Sequence, residues 1–300
     1  MLIDPDSGEL LPLADVSVFM ADDLLGECPC WNHETGILSR VDIHGGRLQT
    51  CDPLTGTQTS KDFEAPLSFA IPRRMGGYVI GLGLRVVLLD DDGSTRTLVD
   101  LSDAIAANRF NDAVCDARGR LWAGTMSLTR PRATGTAALF RIDPDGSYEQ
   151  VLSDLTLSNG MDWPDPETLL HIDSDSYRID RYPVDADGRL GARDLFAETG
   201  TEDGLPDGLT IDAEGGVWVA FFGGGVVRRW ASDGREVDRI RLPITCASSV
   251  AFGGPDLADL FVTTSRHRLT EEQSARQVLA GSLLRLRPGV RGRAGFFFAA

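Results

Sequence analysis

Residues 205–234 read LPDGLTIDAEGGVWVAFFGGGVVRRWASDG. A Pro-Asp-Gly opening leads into an apolar run at Leu209 and Ile211, and Asp212-Ala213-Glu214-Gly215-Gly216 turns the chain. Residues 217–220 (VWVA) form a second run, 223–225 a glycine turn, and Val226, Val227 and Trp230 a third run before Asp233-Gly234 turns again. Short runs of Val, Ile, Trp and Phe cut by Gly and Asp-Gly predict up-and-down antiparallel strands. The stretch is one four-stranded unit, and it recurs.

Taking Asp207 as the marker, Ser158-Asn159-Gly160-Met161-Asp162-Trp163 opens an equivalent unit 48 residues earlier, and Asn111-Asp112 another 48 before that. Fainter copies open at Glu27, Ser68 and Ser248, so the spacings are 41, 43, 48, 48 and 41 residues. Six units of this period, four short strands each, predict an all-β chain: a six-bladed β-propeller with four antiparallel strands per blade, one domain over residues 1–300. A β-helix needs a far shorter period, and a pair of sandwiches would not repeat. Residues 15–19 read as a spare strand that closes the last blade, and 270–279 as a helical turn or two. The tail Gly295-Phe296-Phe297-Phe298 is too short to anchor and is expected to plug into the domain.

The net charge is −16 and Lys61 is the one lysine. That balance argues against nucleic acid and anionic membrane surfaces as partners. No segment approaches the ~18 apolar residues of a membrane span, and the N-terminus lacks the basic and apolar regions of a signal peptide. Five cysteines, an odd number, without a signal peptide suit free thiols in a reducing, cytoplasmic setting. Cys28-x-Cys30 has no second pair or nearby histidine and makes a poor zinc motif.

In a propeller the starts of the inner strands face one point on the axis. The residues at those places are Glu27, Ser68, Asn111, Asn159, Asp207 and Ser248. Two carboxylates and two carboxamides converging with nothing to bind would be costly. A divalent cation that takes oxygen ligands removes the difficulty. Arg109, two residues before Asn111, shares its face by strand alternation. Asn-Gly and Asp-Gly are also good turn formers, which accounts for Asp145-Gly146, Asp187-Gly188 and Asp233-Gly234. It does not account for the common phase of Glu27, Asn111, Asn159 and Asp207.

The stretches LGECPCW, RFNDAVCDARGRLWAGTM, SNGMDW, LPDGLTIDAEGGVWVA and SSVAFGG…LFVTTSR occur in this order between about residue 24 and residue 287. Together they resemble the SMP-30/gluconolactonase/regucalcin-like family of six-bladed propellers. The resemblance implies a divalent-metal-dependent enzyme that opens sugar lactones to aldonic acids. It implies Glu27, Asn159 and Asp207 as metal ligands, Asp207 also as general base, and Arg109 and Asn111 as substrate-binding residues. It also places Thr129 where some relatives carry a substrate-binding glutamate, three residues after GTM. Cys28 stands where the family often has glycine.

On this reading a glucono-, xylono- or arabinonolactone is hydrolysed by a monomer or small homo-oligomer. One divalent ion (Ca, Mg, Mn or Zn) acts as Lewis acid and Asp207 accepts the proton of water. A carboxylate bound to a cation is a weakened base, and the residues alone do not choose between Asp207 and a metal-activated hydroxide. Two other readings keep the propeller: hydrolysis of another ester or a phosphotriester, and a non-catalytic calcium-binding scaffold. There is no Gly-x-Ser-x-Gly, His-Glu-x-x-His or Walker loop. Gly81-Leu82-Gly83 reads as a blade turn, and the four histidines share no phase and are given no metal role. Asp173-Ser174-Asp175 begins like a calcium loop but lacks the glycine and glutamate that would complete one.

Overall fold

A computed structural model of the protein describes residues 2–3, 10–11, 17–129 and 131–300. Among the described residues, six four-stranded antiparallel sheets follow one another along the chain. Residues 205–234 fall in blade 5: Gly204–Ile211, Val217–Gly223, Val226–Trp230 and Glu236–Arg241, paired in that order. The first strands of blades 1 to 6 are Gly26–Asn32, Leu67–Pro72, Asn108–Cys115, Ser158–Asp165, Gly204–Ile211 and Ala247–Gly253. Each touches the first strand of the blades on either side, and the sixth touches the first, so they line the axis of a closed ring. This is the six-bladed propeller that the repeat predicts.

Exposure falls from the rim inward. The outer strands Gln58–Asp62 and Glu236–Arg241 have mostly exposed side chains, whereas Leu121–Ser127 and Asp259–Thr264, one strand from the axis, are buried throughout. The core lies between blades. Trp122, Leu139 and Leu155 of blade 3 pack on Met161, Trp163 and Leu169 of blade 4. Phe261 and Leu283 of blade 6 meet Trp31 and Leu38 of blade 1. Each blade is thus half of two apolar interfaces, which is why alternation in its strands is weak and neither face reads as solvated.

The recurring Asp-Ala-x-Gly turn has a physical job. Asp212 accepts from Glu214 N at 2.9 Å and from Gly216 N at 2.7 Å, and its other oxygen takes Trp218 Nε1 at 2.8 Å. Asp116 does the same for Arg118 N, Arg120 N and Trp122 Nε1, at 2.9, 3.0 and 2.9 Å. One carboxylate closes the turn and satisfies the indole that the next strand buries.

Ser17–Phe19 pairs with Leu283–Leu286 as the outermost strand of blade 6. The expected closing strand therefore exists; Asp15 and Val16, included in it from the sequence, lie outside the described residues. Glu271–Arg276 is a helix of 6 residues, opened by a capping box between Thr270 and Gln273. Phe297 and Phe298 are buried, as the plug reading expects, while Phe296 remains 38% exposed. All five cysteines are free thiols. Among the described residues no helix is long and apolar enough to cross a bilayer.

Candidate functional site

Every inner strand slips register with its neighbour at the ring position. The shifts fall between Glu27 and Cys30, Leu67 and Ala70, Phe110 and Ala113, Ser158 and Met161, Pro206 and Leu209, and Ala247 and Ser249. A bulge re-aims one side chain and releases a backbone carbonyl from the ladder. The released carbonyls link the blades. Ser68 Oγ of blade 2 donates to Phe110 O of blade 3 at 2.6 Å, and Asn111 Nδ2 of blade 3 to Ser158 O of blade 4 at 3.0 Å. Ser174 Oγ of blade 4 donates to Pro206 O of blade 5 at 2.6 Å, and Ser248 Oγ of blade 6 to Gly26 O of blade 1. Each acceptor is the residue just before a ring position.

In blades 4 and 5 the residue after the ring position has room only for glycine. A Cβ on Gly160 would lie 2.5 Å from Asp207 O and Leu209 N, and one on Gly208 would lie 2.0 Å from Ser249 Oγ. Neighbouring inner strands come too close there for a side chain. Cys28 takes that place in blade 1 with φ 45°, in the left-handed region. Its N–H donates to Glu27 Oε2 at 3.2 Å, which ties the carboxylate to its own bulge.

Glu27, Asn111, Asn159 and Asp207 converge on a cleft of ≈ 90 Å³ at one end of the axis, with Arg109 beside them. The other two ring residues, Ser68 and Ser248, are spent on the blade-to-blade bonds above. Arg109 Nη1 donates to Asn111 Oδ1 at 2.9 Å and to Phe110 O at 2.7 Å, so the shared face expected from alternation exists. Asn159 Nδ2 donates to Ser174 Oγ at 2.9 Å, while Asn159 Oδ1 is buried with no partner among the described residues. Burial raises Glu27 well above the usual carboxylate range, and the charges of Asp207 and Asp112 raise it further. Burial and then the Asp112 charge raise Asp207, and the Asn159 amide and Arg109 oppose the rise.

Two buried carboxylates that repel each other, beside a buried carbonyl oxygen without a donor, form an oxygen set that a hard divalent cation satisfies. Among the described residues no group of three His, Cys, Asp or Glu side chains converges on a point. The third donor here is an amide.

Thr129 does not line the cleft. Its hydroxyl shapes the loop above, donating to Pro131 O at 3.1 Å and accepting from Ala133 N at 3.0 Å. That loop brings Leu128 and Arg132 over the cleft, and His44, His267 and Arg268 come to it from blades 1 and 6. His44 and His267 meet edge to face, with ring centroids 4.7 Å apart. None of these was found from the repeat, because they sit on loops outside its phase. Asp112 was present in the RFND stretch but was not assigned a role. It points the opposite way from Asn111, into a second cavity of ≈ 190 Å³ further along the channel, and burial raises it to about 6. Asp173-Ser174-Asp175 is a support: Asp173 accepts from Thr156 N and Leu157 N at 3.0 and 2.8 Å, and Ser174 holds Asn159.

Comparison with known proteins gives a consistent result. The profile described as SMP-30/Gluconolactonase/LRE-like region matches residues 25–266. Regucalcin of Xenopus laevis is 36% identical over 283 residues, covering 92% of this chain and 95% of its own. The 6-deoxy-6-sulfogluconolactonase of Pseudomonas putida is also 36% identical, over 279 residues, with the same coverages of 92% and 95%. The solved structure of a calcium-binding protein, regucalcin, from Agrobacterium tumefaciens superposes with a TM-score of 0.90 at 26% identity, covering 96% of this chain and 98% of that one.

Proposed function

The chain belongs to the SMP-30/gluconolactonase/LRE-like family, and from that premise we propose that it is a carboxylic ester hydrolase that opens a sugar lactone to its aldonic acid. Aldonolactones of the glucono, xylono and arabinono type are the substrate class, and one divalent cation is required. The reading is carried by Asn159 Oδ1, buried without a donor between chain segments that also bring Glu27 and Asp207 to the cleft. Glu27, Asn159 and Asp207 would hold the cation. When bound, it supplies Lewis-acid polarisation of the ester carbonyl and makes water more acidic.

The remaining chemistry belongs to the chain. Arg109 is 4% exposed and braced by Phe110 O and Asn111, so its guanidinium is pre-oriented toward the cleft. Arg109 and Asn111 would hold sugar oxygens and keep the carbonyl in place. Asp207 accepts a proton from the attacking water as the new carbon–oxygen bond forms. It returns that proton to the ring oxygen when the ester bond breaks, leaving a carboxylic acid and an alcohol. A cation beside Asp207 weakens it as a base, but burial and the Asp112 charge pull the other way.

The test is proton release on a panel of gluconolactone, xylonolactone, arabinonolactone and galactonolactone. Chelated enzyme is compared with enzyme supplied with Ca²⁺, Mg²⁺, Mn²⁺ or Zn²⁺, and spontaneous opening is subtracted. Metal-dependent acceleration on any lactone is expected, and the ranking names the sugar and the ion. A flat panel with every metal overturns the proposal and returns the choice to another ester or a binding scaffold.

A further inference from the structure

The chain carries a formal net charge of −16, yet its cleft is edged by cations. Arg109, Arg132 and Arg268 line it, against two carboxylates, Glu27 and Asp207. The inner groups are accounted for: the carboxylates belong to the cation site, and Arg109 is braced against Asn111. The two outer arginines are not among the groups given a part in opening the lactone above.

Arg132, from the loop between the second and third strands of blade 3, forks onto Asp175 of blade 4. Its Nε lies 3.2 Å from Oδ2 and its Nη2 2.9 Å from Oδ1. That pairing fixes the plane of the guanidinium and leaves further N–H groups for a ligand. Arg268 reaches the cleft from blade 6 with φ 70°, a backbone state that long side chains rarely adopt. Its guanidinium makes no hydrogen bond or ion pair with any described residue. Among the described residues the carboxylates lining the cleft are the two on the axis, and the nearby Asp175 is taken up by Arg132.

We propose that the preferred lactone carries an anionic substituent (phosphate, sulfonate or carboxylate) at the end of the sugar away from the lactone carbonyl, and that Arg268 and Arg132 receive it at the mouth of the cleft. The inference rests on the lactonase reading of the same site. A planar guanidinium matches the oxygens of such an anion through paired N–H bonds. Two of them on a strongly acidic protein also remove the repulsion that an anion would otherwise meet at the mouth.

The test uses the full chain with its activating cation. It compares kcat/KM for gluconolactone with the values for its derivatives bearing a phosphate, a sulfonate or a carboxylate on the terminal carbon. At least one anionic lactone should be preferred about tenfold or more, which is ~1.4 kcal/mol, mainly through KM. The ranking of the three identifies the anion. The preference should shrink as ionic strength rises from about 0.05 to about 0.5 M, as screening shortens the reach of the arginines. Arg268→Ala should cut the anionic-to-neutral ratio about fivefold or more, and Arg268→Lys should retain most of it. A ratio near or below one, unmoved by Arg268→Ala, overturns this inference and leaves the lactonase reading standing. If no lactone is opened, the lactonase reading has failed, and calorimetric binding of phosphogluconate against gluconate decides the inference by itself. Tighter phosphogluconate binding that is lost in Arg268→Ala supports it, and equal binding overturns it.

Discussion

Asp207 is buried within range of two other carboxylates, Glu27 and Asp112, so at the scale of the residue the site is built against stability. Asp207→Asn keeps the shape and removes one of the repelling charges. In chelated protein this variant should melt higher than the parent by a few degrees, from about 1–3 kcal/mol of relieved desolvation and repulsion. Its lactone turnover should fall by about 10²–10⁴-fold. Differential scanning calorimetry with chelator, beside proton-release kinetics with metal, checks both; a lower metal-free melting temperature would contradict the account. His171 gives a pH prediction free of the axis carboxylates. It is 1% exposed, its Nε2 lies 2.8 Å from Ser158 Oγ, and burial depresses its pKa to about 4. The unfolded chain takes up the proton near pH 6.5 and the folded chain only near 4, so stability is present above 6.5 and is lost as pH falls through that window. The loss should reach about 3 kcal/mol by pH 4 and should be absent in His171→Gln, so melts of the two proteins at pH 7 and pH 4.5 should converge. The ring residues Glu27, Asn111, Asn159 and Asp207 were legible because chemistry and phase coincide at them. His171 was not, since nothing in Leu169-Leu170-His171-Ile172 distinguishes a buried hydrogen-bonded imidazole from an exposed one.

At the scale of the element, the four-strand blade was legible from its turns, because Asp-Gly and Gly-Gly need backbone states that few other residues offer. The bulges were not. A register slip leaves only a faint trace in a strand whose two faces are both buried, and in blades 4 and 5 the trace is the glycine after the ring position. Gly160 and Gly208, read from the sequence only as part of the SNG and PDG unit openings, lie inside strands, with their φ outside the left-handed region, and are required by close approach. Gly160→Ala tests this. Its methyl would press on Asp207 O and Leu209 N, main-chain atoms that cannot swing away as a side chain would. Overpacking of this kind costs about 1–3 kcal/mol, and here it also shifts the strand that carries Asp207. The expected result is a melting temperature lower by several degrees together with a loss of kcat larger than any change in KM. Gly36→Ala is the control: its φ of 72° is strained for alanine, but nothing lies within 4 Å and the site is remote, so stability should drop with activity intact. Equal kcat in both variants would separate the glycine from the site.

Across the whole molecule, a ring of blades has one weak seam, where the last blade must be joined to the first. Ser17–Phe19 completes blade 6, and Phe19 packs with Trp31 and Leu38 of blade 1 across the seam. The sequence showed this strand because one apolar run was left over ahead of the first repeat. The C-terminal tail was legible as an apolar plug but not in its course, since a non-repeating segment carries no phase from which its path can be read. Its path crosses every blade. Gly292 N donates to Leu257 O of blade 6 at 2.7 Å, Arg291 O accepts from Ala213 N of blade 5 at 2.8 Å, and Arg293 donates to Trp163 O and Pro164 O of blade 4 at 2.6 and 2.8 Å. Ala299 N donates to Gly119 O of blade 3 and Phe298 N to Pro72 O of blade 2, both at 3.0 Å, while Phe297 stacks on His33 of blade 1 with centroids 4.7 Å apart. Arg293 and Phe296 also line the second cavity, so the tail floors the channel at the end away from the cleft. Ending the chain at Gly292 removes two buried phenylalanines worth roughly 1.5–3 kcal/mol each and the ties to blades 1 to 4. The melting temperature should fall by on the order of 10 °C, and the transition should broaden as blades separate unequally. Because the tail lies far from Glu27, Asn159 and Asp207, turnover at low temperature should survive. A truncated protein that melts like the parent would show that the blade interfaces alone hold the ring, and one that is cold-inactive would place the floor of the channel within reach of the chemistry.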